Sequence, residues 1–387
     1  MYNIILLGLV SLINDMASKM ILPILPLYIA SIGGTGIAVG LITGIGESIA
    51  SLLKVLSGYW SDRRGKRKPF VFSGYFLASA AKLGYAFSGA WWHVLGLMGA
   101  ERTGKGIRAA PRDAILAAST SREKRGKGFG IHRAFDSAGS VIGSLLALAL
   151  IVFFGLSYAS IFLAAGIISF FSLVPLIFVK EDVEKENKLE KNKPTLKIGL
   201  KNLHPRLKLF IAIAVVFAMG NFSYMFFILR AQEFFPLSLA IVIPIALYAV
   251  YEGFFTLFAI PAGLLSDRIG REKVLLTGYA LFAVTAAGFI FSAYGNIYTM
   301  IALFMLYGVV YAFVEATERA FVSDLAAPEE RGTALGTFHA AIGFAALPGG
   351  IVAGFLWDAI GPAATFVYGA AFALAAAAML VFLVLKK

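Results

Sequence analysis

The stretch Gly58-Tyr-Trp-Ser-Asp62-Arg-Arg-Gly65-Lys-Arg-Lys68 occurs in this chain a second time, in altered form. The second copy, Gly263-Leu-Leu-Ser-Asp267-Arg-Ile-Gly270-Arg-Glu-Lys273, begins 205 residues later. Each copy follows a long apolar run and joins it to another through a short basic segment. A second matching pair, Arg125–Gly130 and Arg331–Gly336, is separated by 206 residues. Two matches at nearly the same spacing indicate an internal duplication.

The composition around these repeats is that of a membrane protein. Apolar residues make up 59% of the 387 residues, charged residues only 14%, and the mean hydropathy is +0.82. Apolar runs of about 20 residues recur, and each is long enough for a helix to cross a hydrocarbon core about 30 Å thick. Because lipid offers no hydrogen bonds to the backbone, we predict an all-α integral membrane protein of about twelve transmembrane helices. The predicted helices cover residues 4–30, 37–58, 70–88, 91–117, 129–153, 158–179, 207–234, 239–262, 274–292, 296–322, 334–356 and 362–385.

The duplication predicts three parts along the chain. Residues 1–179 form an N-terminal six-helix bundle, residues 180–206 a cytoplasmic linker, and residues 207–387 a C-terminal six-helix bundle. The linker contains EDVEKENKLEKNKP, a stretch of mixed charge and low hydrophobicity that suits a solvated connection. In a transporter built from two such repeats, the substrate binds near the midplane of the membrane.

The net charge of +12 is concentrated in alternate connections between the apolar runs. Lys and Arg in short loops resist translocation, so we predict a multi-pass protein of the cytoplasmic membrane with both termini in the cytoplasm. The first run carries Asn14, Asp15 and Lys19 and lacks a basic leader, which favours a retained helix over a cleaved signal peptide. Nucleic acid is not an expected partner, because the basic residues do not form one face of a soluble module. These residues are Arg63, Arg64, Lys66, Arg67, Lys68, Arg122, Lys124, Arg125, Lys127, Arg268, Arg271, Lys273, Lys386 and Lys387.

The segment from Gly58 to Lys68 resembles the loop signature of the major facilitator superfamily, Gly-x-x-x-Asp-Arg-x-Gly-Arg-Arg/Lys, with Lys66 where Arg is usual. This resemblance implies two pseudo-symmetric six-helix bundles that transport a solute by alternating access. Gly58 would let two helices approach closely, Asp62 would accept hydrogen bonds at a helix end, and Gly65 would permit a tight turn. The alternative is a basic loop that only fixes orientation. We predict a conformational latch made of Gly58, Asp62, Gly65, Lys66, Arg112, Asp113, Gly263, Asp267 and Gly270.

Two further segments extend the resemblance, and one departs from it. Arg102-Thr-Gly-Lys-Gly106 on the fourth predicted helix resembles an Arg-x-x-x-Gly motif that is associated with proton coupling in relatives. The segment Arg108–Asp113, together with Asn14-Asp15, resembles a widespread prokaryotic subgroup. The antiporter motif on the fifth helix usually contains Gly-Pro, whereas Gly139-Ser-Val-Ile-Gly143 keeps the small-residue spacing without proline.

Ionisable residues within the predicted helices are costly, at about 2.5–3.5 kcal/mol each on insertion scales, and normally face the bundle interior. Glu101, Lys105, Arg108 and Arg112 fall on one stripe of the fourth helix, which predicts a polar cleft. The alternative is that pairs such as Glu101–Lys105 and Arg133–Asp136 only fix helix packing. Our candidates for proton coupling are Asp15, Glu47, Arg102, Arg108, Arg133 and Asp136, with Asp15 and Glu47 leading.

Fewer polar residues lie in the second half. Glu315 and Arg319 are spaced to pair on one helix, whereas Glu252 has no such neighbour. Aromatic residues of the seventh and eighth helices are expected to pack in the core or face lipid, and any that face the cavity would suit an amphiphilic or aromatic solute. The substrate-cavity candidates are Asn14, Lys105, Asn221, Tyr248, Glu252, Glu315 and His339.

These observations predict a secondary transporter of a small organic solute, anionic or amphiphilic, coupled to protons. The alternatives are an efflux antiporter for drugs or amphiphiles and a lipid scramblase or flippase-like carrier. The chain has no cysteine, and it lacks the HExxH, GxSxG and Walker A motifs, so we expect no metal, no cofactor and no enzymatic activity. The expected partners are the solute, protons and the lipid bilayer, and the expected state is a monomer.

Overall fold

The computed structural model describes residues 2–120, 125–181, 199, 203–236, 239–292, 296–327 and 330–385. Nearly all of the predicted linker, residues 182–198 and 200–202, lies outside this range, as do Arg122, Lys124, Lys386 and Lys387. The first half contains α1 (Tyr2–Ile21), α2 (Leu25–Ser31), α3 (Gly36–Arg64), α4 (Lys68–Gly84), a 3-10 turn (Tyr85–Phe87), α5 (Trp91–Ala118), α6 (Arg125–Phe154), α7 (Tyr158–Phe171) and α8 (Leu173–Ile177). The second half contains α9 (Pro205–Gly220), α10 (Tyr224–Glu233), α11 (Val242–Ile269), α12 (Arg271–Phe291), α13 (Ile297–Leu325), α14 (Arg331–Ala359) and α15 (Pro362–Leu385).

Within the described residues, ten helical segments are long and apolar enough to cross a membrane. Two of them, residues 2–31 and 205–233, each combine two consecutive helices. The remaining two predicted crossings correspond to α4, which has only 17 residues, and to α5, whose central turns carry four charged side chains. The predicted all-helical membrane fold is therefore confirmed, and the two weakest apolar segments lie side by side in the first half.

The helices pack into two compact units. The first comprises Met1–Tyr28 with Ile49–Leu196, and the second comprises Ile29–Ser48 with Lys197–Lys387. The same helix pairs are in contact in both units. In the first these are α1 with α6, α4 with α5, α4 with α7 and α1 with α7; in the second, α9 with α14, α12 with α13, α12 with α15 and α9 with α15. The packing thus repeats the duplication that the sequence predicts.

The first crossing of each half is interrupted. Residues 22–24, which include Pro23, separate α1 from α2, and Asn221–Ser223 separates α9 from α10. The Ser223 side chain accepts a hydrogen bond from the Met225 backbone N–H at 3.2 Å and so caps the start of α10. Backbone breaks at membrane depth are tolerated where they are buried in protein or line a cavity. These two breaks therefore mark where a site is to be sought.

The helices preceding the repeated loops extend further than predicted. The helix α3 continues to Arg64 and α11 continues to Ile269, so Asp62 and Asp267 lie in last turns rather than in loops. The turns that follow use glycine with positive φ, +62° at Gly65 and +99° at Gly270, where other residues would be strained. The helix α5 is continuous through Pro111 to Ala118.

Close backbone contacts join helices within each unit. A Cβ atom added to Gly139 or Gly143 of α6 would lie 2.4 Å from the Leu12 carbonyl oxygen or 2.2 Å from that of Met16 on α1. A Cβ on Gly104 of α5 would lie 2.4 Å from the Gly74 carbonyl oxygen on α4. Small residues at these crossings let the backbones touch, which is how helices associate in lipid. The small-residue spacing noted on the fifth crossing is therefore used for packing.

The second unit contains a comparable seam between the start of α3 and α14. A Cβ on Gly40 would lie 2.0 Å from the Gly350 carbonyl oxygen, and one on Gly354 would lie 2.3 Å from that of Gly36. At the end of the seam, both carboxylate oxygens of Asp358 accept backbone N–H groups, from Gly36 at 2.7 Å and Ile37 at 2.9 Å. A carboxylate at a helix N-terminus is favourable because it satisfies free N–H groups.

Candidate functional site

The first unit contains a fully buried lysine, Lys82, on α4. Its ammonium Nζ donates to Asn14 Oδ1 at 2.9 Å and to Ser169 Oγ at 3.3 Å, and lies 3.8 Å from Glu101 Oε1. The Tyr85 hydroxyl donates to the other oxygen of Glu101 at 3.1 Å. Four crossings, α1, α4, α5 and α7, therefore meet around one cation. We call these residues, Asn14, Lys82, Tyr85, Glu101 and Ser169, the Lys82 cluster.

A second cluster lies one turn away on α1, centred on the buried hydroxyl of Ser11. Ser11 Oγ lies 3.3 Å from the Tyr75 hydroxyl and 3.0 Å from His132 Nε2, and it accepts from Arg112 Nη1 at 3.1 Å. The other ring nitrogen of His132 is 3.6 Å from Asp136 Oδ2. We call Ser11, Tyr75, Arg112, His132 and Asp136 the Ser11 cluster. The helix α1 contributes to both clusters, because it carries Ser11 and Asn14. Asn14 Nδ2 also donates to Asp15 Oδ1, at 3.0 Å.

Two buried polar atoms at the Ser11 cluster have no hydrogen-bond partner among the described residues. One is Nη1 of Arg108, whose guanidinium lies 4.3 Å above the ring of Tyr75, and the other is Oδ1 of Asp136. Arg108 is only 7% exposed. Buried groups of this kind normally have partners, so both atoms are candidates to contact a solute group, a proton or an ordered water.

The second unit contains a cavity of about 110 Å³ beside the break between α9 and α10. Its polar lining comes from Asn221, Tyr311, Glu315 and Glu318, and its aromatic lining also includes Phe217; the other walls are Ala, Val and Ile side chains. Glu315 forms the predicted pair with Arg319, at 2.9 Å. The break in the first crossing of this half therefore opens onto a small site with two carboxylates.

Tyrosines surround this side of the second unit. Tyr251 lies 4.9 Å from Tyr307 and 5.7 Å from Tyr311 between ring centroids, and the ring of Tyr248 lies 5.5 Å from that of Tyr251, tilted by 47°. Glu252 has no basic residue four positions away on its helix, and its Oε1 instead accepts a hydrogen bond from the Tyr248 hydroxyl at 2.9 Å. Both residues are almost completely buried, so they contribute to the packed interior of this unit.

The aromatic residues of the predicted seventh and eighth helices are mostly core residues, as expected. Phe222, Phe226, Phe227, Tyr248 and Tyr251 are all less than one tenth exposed. Phe227 stacks on Tyr307 at 4.1 Å and contacts Phe289 edge-on at 5.0 Å. These rings stabilise the second unit and leave the cavity near Asn221 lined by only two aromatic side chains.

The predicted stripe on α5 is divided by the structure. Glu101, Arg108 and Arg112 turn into the first unit, whereas Lys105 is exposed. Arg102 lies at intermediate depth with its Nε 3.4 Å from Met98 Sδ, and Arg133 on α6 is exposed. At about 100° per residue the four positions lie within about 60° of one another, so helix rotation alone does not explain why Lys105 is exposed and Arg112 is not.

Among the other predicted residues, the leading pair for proton coupling is divided between the two units. Asp15 lies in the first unit beside Asn14, whereas Glu47 is an exposed residue of the segment that packs in the second unit. Asn221 and Glu315 are brought together at the cavity. His339 on α14 contacts the ring of Phe338 at 5.5 Å and is not among the cavity residues.

The latch residues contact neighbours in their own loops and on the helices beside them. Arg67 Nη2 donates to Asp62 Oδ1 at 2.9 Å, and Arg271 pairs with both Asp267 and Asp324. Arg112 donates to its neighbour Asp113 at 2.9 Å. A Cβ on Gly58 would lie 3.2 Å from Ala110 Cβ, whereas one on Gly263 would meet no described atom within 4 Å. Close approach of two helices therefore explains Gly58 but not Gly263. Lys66 is exposed.

Sequence reasoning missed the most buried charge of the first unit. Lys82 lies in the apolar run of the predicted third helix, and the rule that ionisable residues at membrane depth mark function applies to it as well as to Glu101. It also passed over Glu318, which lines the cavity, because Glu315 beside it has the better spacing to pair with Arg319.

This chain is similar to known proteins in both sequence and fold. The family model described as Major Facilitator Superfamily matches residues 7–250 and 244–387. The chain therefore belongs to the major facilitator superfamily of transporters, as its two repeated loops indicated. Its duplicated helix packing and interrupted first crossings are part of a transporter fold.

Three similar proteins illustrate this membership. A Methanocaldococcus jannaschii protein called uncharacterized MFS-type transporter MJ1317 is 46% identical over 98% of this chain and 94% of its own length. The fosmidomycin resistance protein of Escherichia coli is 26% identical over 70% of this chain and 67% of its own. The solved structure of nucleoside transporter NupG has a TM-score of 0.79 over 99% of this chain and 98% of its own, at 16% identity, a likeness of fold alone.

Proposed function

We propose that this transporter moves a small organic solute across the cytoplasmic membrane by alternating access and couples that movement to protons. The N-terminal bundle of residues 1–179 holds the proton-coupling residues, and the C-terminal bundle of residues 207–387 holds a solute subsite. The observation that carries the proposal is the pair of linked polar clusters in the first unit. Chains of Asp, Glu and His inside a membrane bundle are the usual material of proton relays in transporters.

Asp136 is the best candidate to carry the proton. It is the one residue of the Ser11 cluster whose buried carboxylate oxygen lacks a hydrogen-bond partner within the described part of the chain. His132 and, through Ser11, Arg112 are close enough to respond when it changes charge. Asp15 is adjacent to the other cluster through Asn14, so its charge also bears on Lys82. Asp15 and Asp136 together could therefore take up and release a proton as the bundle changes conformation.

Arg108 supports the prediction that the solute carries a negative charge. Its Nη1 is a buried hydrogen-bond donor that has no partner among the described residues, and it suits an anionic group of the solute. The similarity to a fosmidomycin resistance protein supports export of a drug-like compound as the second candidate function. Both functions use the same clusters. They differ in the direction of transport and in the range of solutes that the protein accepts.

The test is solute-driven proton movement in proteoliposomes that contain a pH-sensitive dye. We expect a pH change with some member of a panel of organic anions, zwitterions and amphiphiles, fosmidomycin included. Asp136→Asn and Asp15→Asn should abolish the signal, and Arg108→Ala should weaken it for anionic members only. Glu233→Gln is the control, because Glu233 pairs with Arg230 at the end of α10 and belongs to neither cluster.

Other outcomes would overturn the proposal in defined ways. Solute uptake without proton movement in the wild type would mean a uniporter. No uptake of any solute, combined with movement of a fluorescent phospholipid between leaflets, would mean a lipid scramblase. A signal that persists unchanged in Asp136→Asn and Asp15→Asn would remove the proposed coupling residues.

A further inference from the structure

One carboxylate in the second unit is buried without a cation. Glu318 on α13 is 8% exposed, and its only hydrogen-bond partner among the described residues is the Tyr279 hydroxyl, which donates to Oε1 at 2.7 Å. No Lys, Arg or His of the described chain lies within ion-pair distance of it. Its other oxygen, Oε2, is therefore available to a donor that the protein does not supply.

Glu318 faces the cavity of about 110 Å³ and is held there by packed rings. Tyr279, its donor on α12, stacks on Phe217 of α9 with centroids 4.1 Å apart and planes 18° apart. Phe217 is itself a wall of the cavity. Tyr279 therefore holds the Glu318 carboxylate in position, and the ring of Phe217 in turn holds Tyr279. The site is thus preorganised.

The neighbouring carboxylate has a different environment. Glu315 also lines the cavity, but its Oε1 accepts from Arg319 at 2.9 Å, and about two fifths of its side chain is exposed. Its charge is therefore compensated by the protein. Among the described residues no cation lies within ion-pair distance of Glu318, so its ionised form would need a cation that enters the cavity from outside.

We propose that this cavity binds a protonated amine of the transported solute, with Glu318 as counter-ion and the Phe217 and Tyr311 rings as its walls. An ammonium group satisfies Oε2 by a charge-assisted hydrogen bond and is attracted to the faces of aromatic rings. Asn221, in the break between α9 and α10, also lines the cavity; its Oδ1 accepts from the Tyr311 hydroxyl at 3.5 Å and has a second lone pair for another donor. The volume corresponds to about three or four water molecules, enough for an ammonium group on a short carbon chain.

This inference rests on the proposed transport function in one respect, that the amine belongs to the solute carried. It narrows the solute from anionic or amphiphilic compounds to those that also carry an amine.

The test is binding of n-butylammonium to the purified protein, with n-butyrate and n-butanol as matched probes of the same carbon chain. Binding to the folded state raises the midpoint of thermal unfolding, so the shift can be followed against probe concentration at fixed ionic strength. We expect a shift with n-butylammonium and none with the other two. Glu318→Gln should weaken binding by about tenfold or more, the loss expected for one charged hydrogen bond, and Glu318→Asp should retain part of it.

Two further variants show whether a loss of binding in Glu318→Gln comes from the lost charge or from a general change in the protein. Glu233→Gln makes the same chemical change at a carboxylate outside the cavity and should bind as the wild type does. Tyr279→Phe removes the donor that positions Glu318 and should weaken binding by a smaller factor. Equal shifts with n-butylammonium and n-butyrate, or undiminished binding in folded Glu318→Gln, would overturn the inference.

The inference and the proposed function fail in different assays. Glu318-dependent binding of n-butylammonium, combined with no solute-driven proton movement, would leave the amine site standing and remove the coupling. Proton movement driven only by solutes without an amine, combined with no binding of n-butylammonium, would leave the coupling standing and remove the amine site.

Discussion

The ammonium group of Lys82 contacts side chains from three other crossings, so a single residue ties most of the first unit together. A cation at this depth is tolerated because a carboxylate, an amide and a hydroxyl share it. Removing it would leave Glu101 with only Tyr85 as a hydrogen-bond partner among its neighbours in the Lys82 cluster. Through these contacts Lys82 both stabilises the bundle and sets the charge of the Lys82 cluster.

Lys82→Met tests this role at the level of one residue. The substitution keeps most of the side-chain volume and removes the charge, so we expect the free energy of unfolding to fall by about 3 kcal/mol, as for other broken buried pairs. The measurement is unfolding in mixed detergent micelles. Lys127→Met, at an exposed lysine on α6, is the control and should change little. Unchanged stability in Lys82→Met would show that the cluster does not need its cation.

Residue-level prediction from the sequence succeeded where spacing alone decides the contact. The Glu315–Arg319 pair follows from a four-residue spacing on one helix, and the positive φ of Gly65 follows from the need for a tight turn. Lys82 and Glu318 were not selected, because their partners Asn14 and Tyr279 are on other helices, 68 and 39 residues away. Such contacts depend on helix rotation and packing, which a single sequence does not specify.

At the scale of elements, glycine contacts decide which helices approach each other. The seam of α3 and α14 in the second unit brings Gly40 and Gly350 into backbone contact, and Ser48 donates to the Gly343 carbonyl oxygen at 2.5 Å. Because the contact is between backbones, any side chain at either glycine must separate the two helices. The segment Ile29–Ser48 is therefore held in the second unit by contacts that a single substitution can break.

Gly350→Val is the corresponding prediction. A Cβ at this position would lie 2.5 Å from the Gly40 carbonyl oxygen, so the seam should open. Since the chain has no cysteine, opening can be followed by the maleimide reactivity of Ser48→Cys, which should rise several-fold with Gly350→Val in the same chain. Gly332→Val, on the same helix α14 but with no described atom within 4 Å of its Cβ, should leave reactivity unchanged. Equal reactivity in both would refute the seam.

The whole molecule shows how far the duplication reaches. Four helix pairs recur at equivalent places in the two units, which the repeated loops at Gly58 and Gly263 predict. Chemistry is not repeated, since the buried cation is in the first unit and the cavity with the unpaired carboxylate is in the second. The sequence indicated this asymmetry through its charged residues but could not place Glu47, whose segment packs in the second unit.

Orientation in the membrane is a prediction for the whole chain. The basic connections should face the cytoplasm, which places the connection at Gly89 outside and the one at Ala327 inside. In intact cells, a membrane-impermeant maleimide should label Gly89→Cys directly and Ala327→Cys only after permeabilisation, since both positions are exposed and the background has no cysteine. The reverse pattern would mean that the termini lie outside.

The central claim is that Asp136 couples solute movement to protons. The most direct measurement compares two modes of one preparation: accumulation of a solute driven by an imposed pH gradient, and exchange of labelled for unlabelled solute without a gradient. We expect the wild type to perform both, and Asp136→Asn to exchange but not accumulate, because exchange needs no net proton transfer. Accumulation by Asp136→Asn at the wild-type level, or exchange without accumulation in the wild type, would contradict the account.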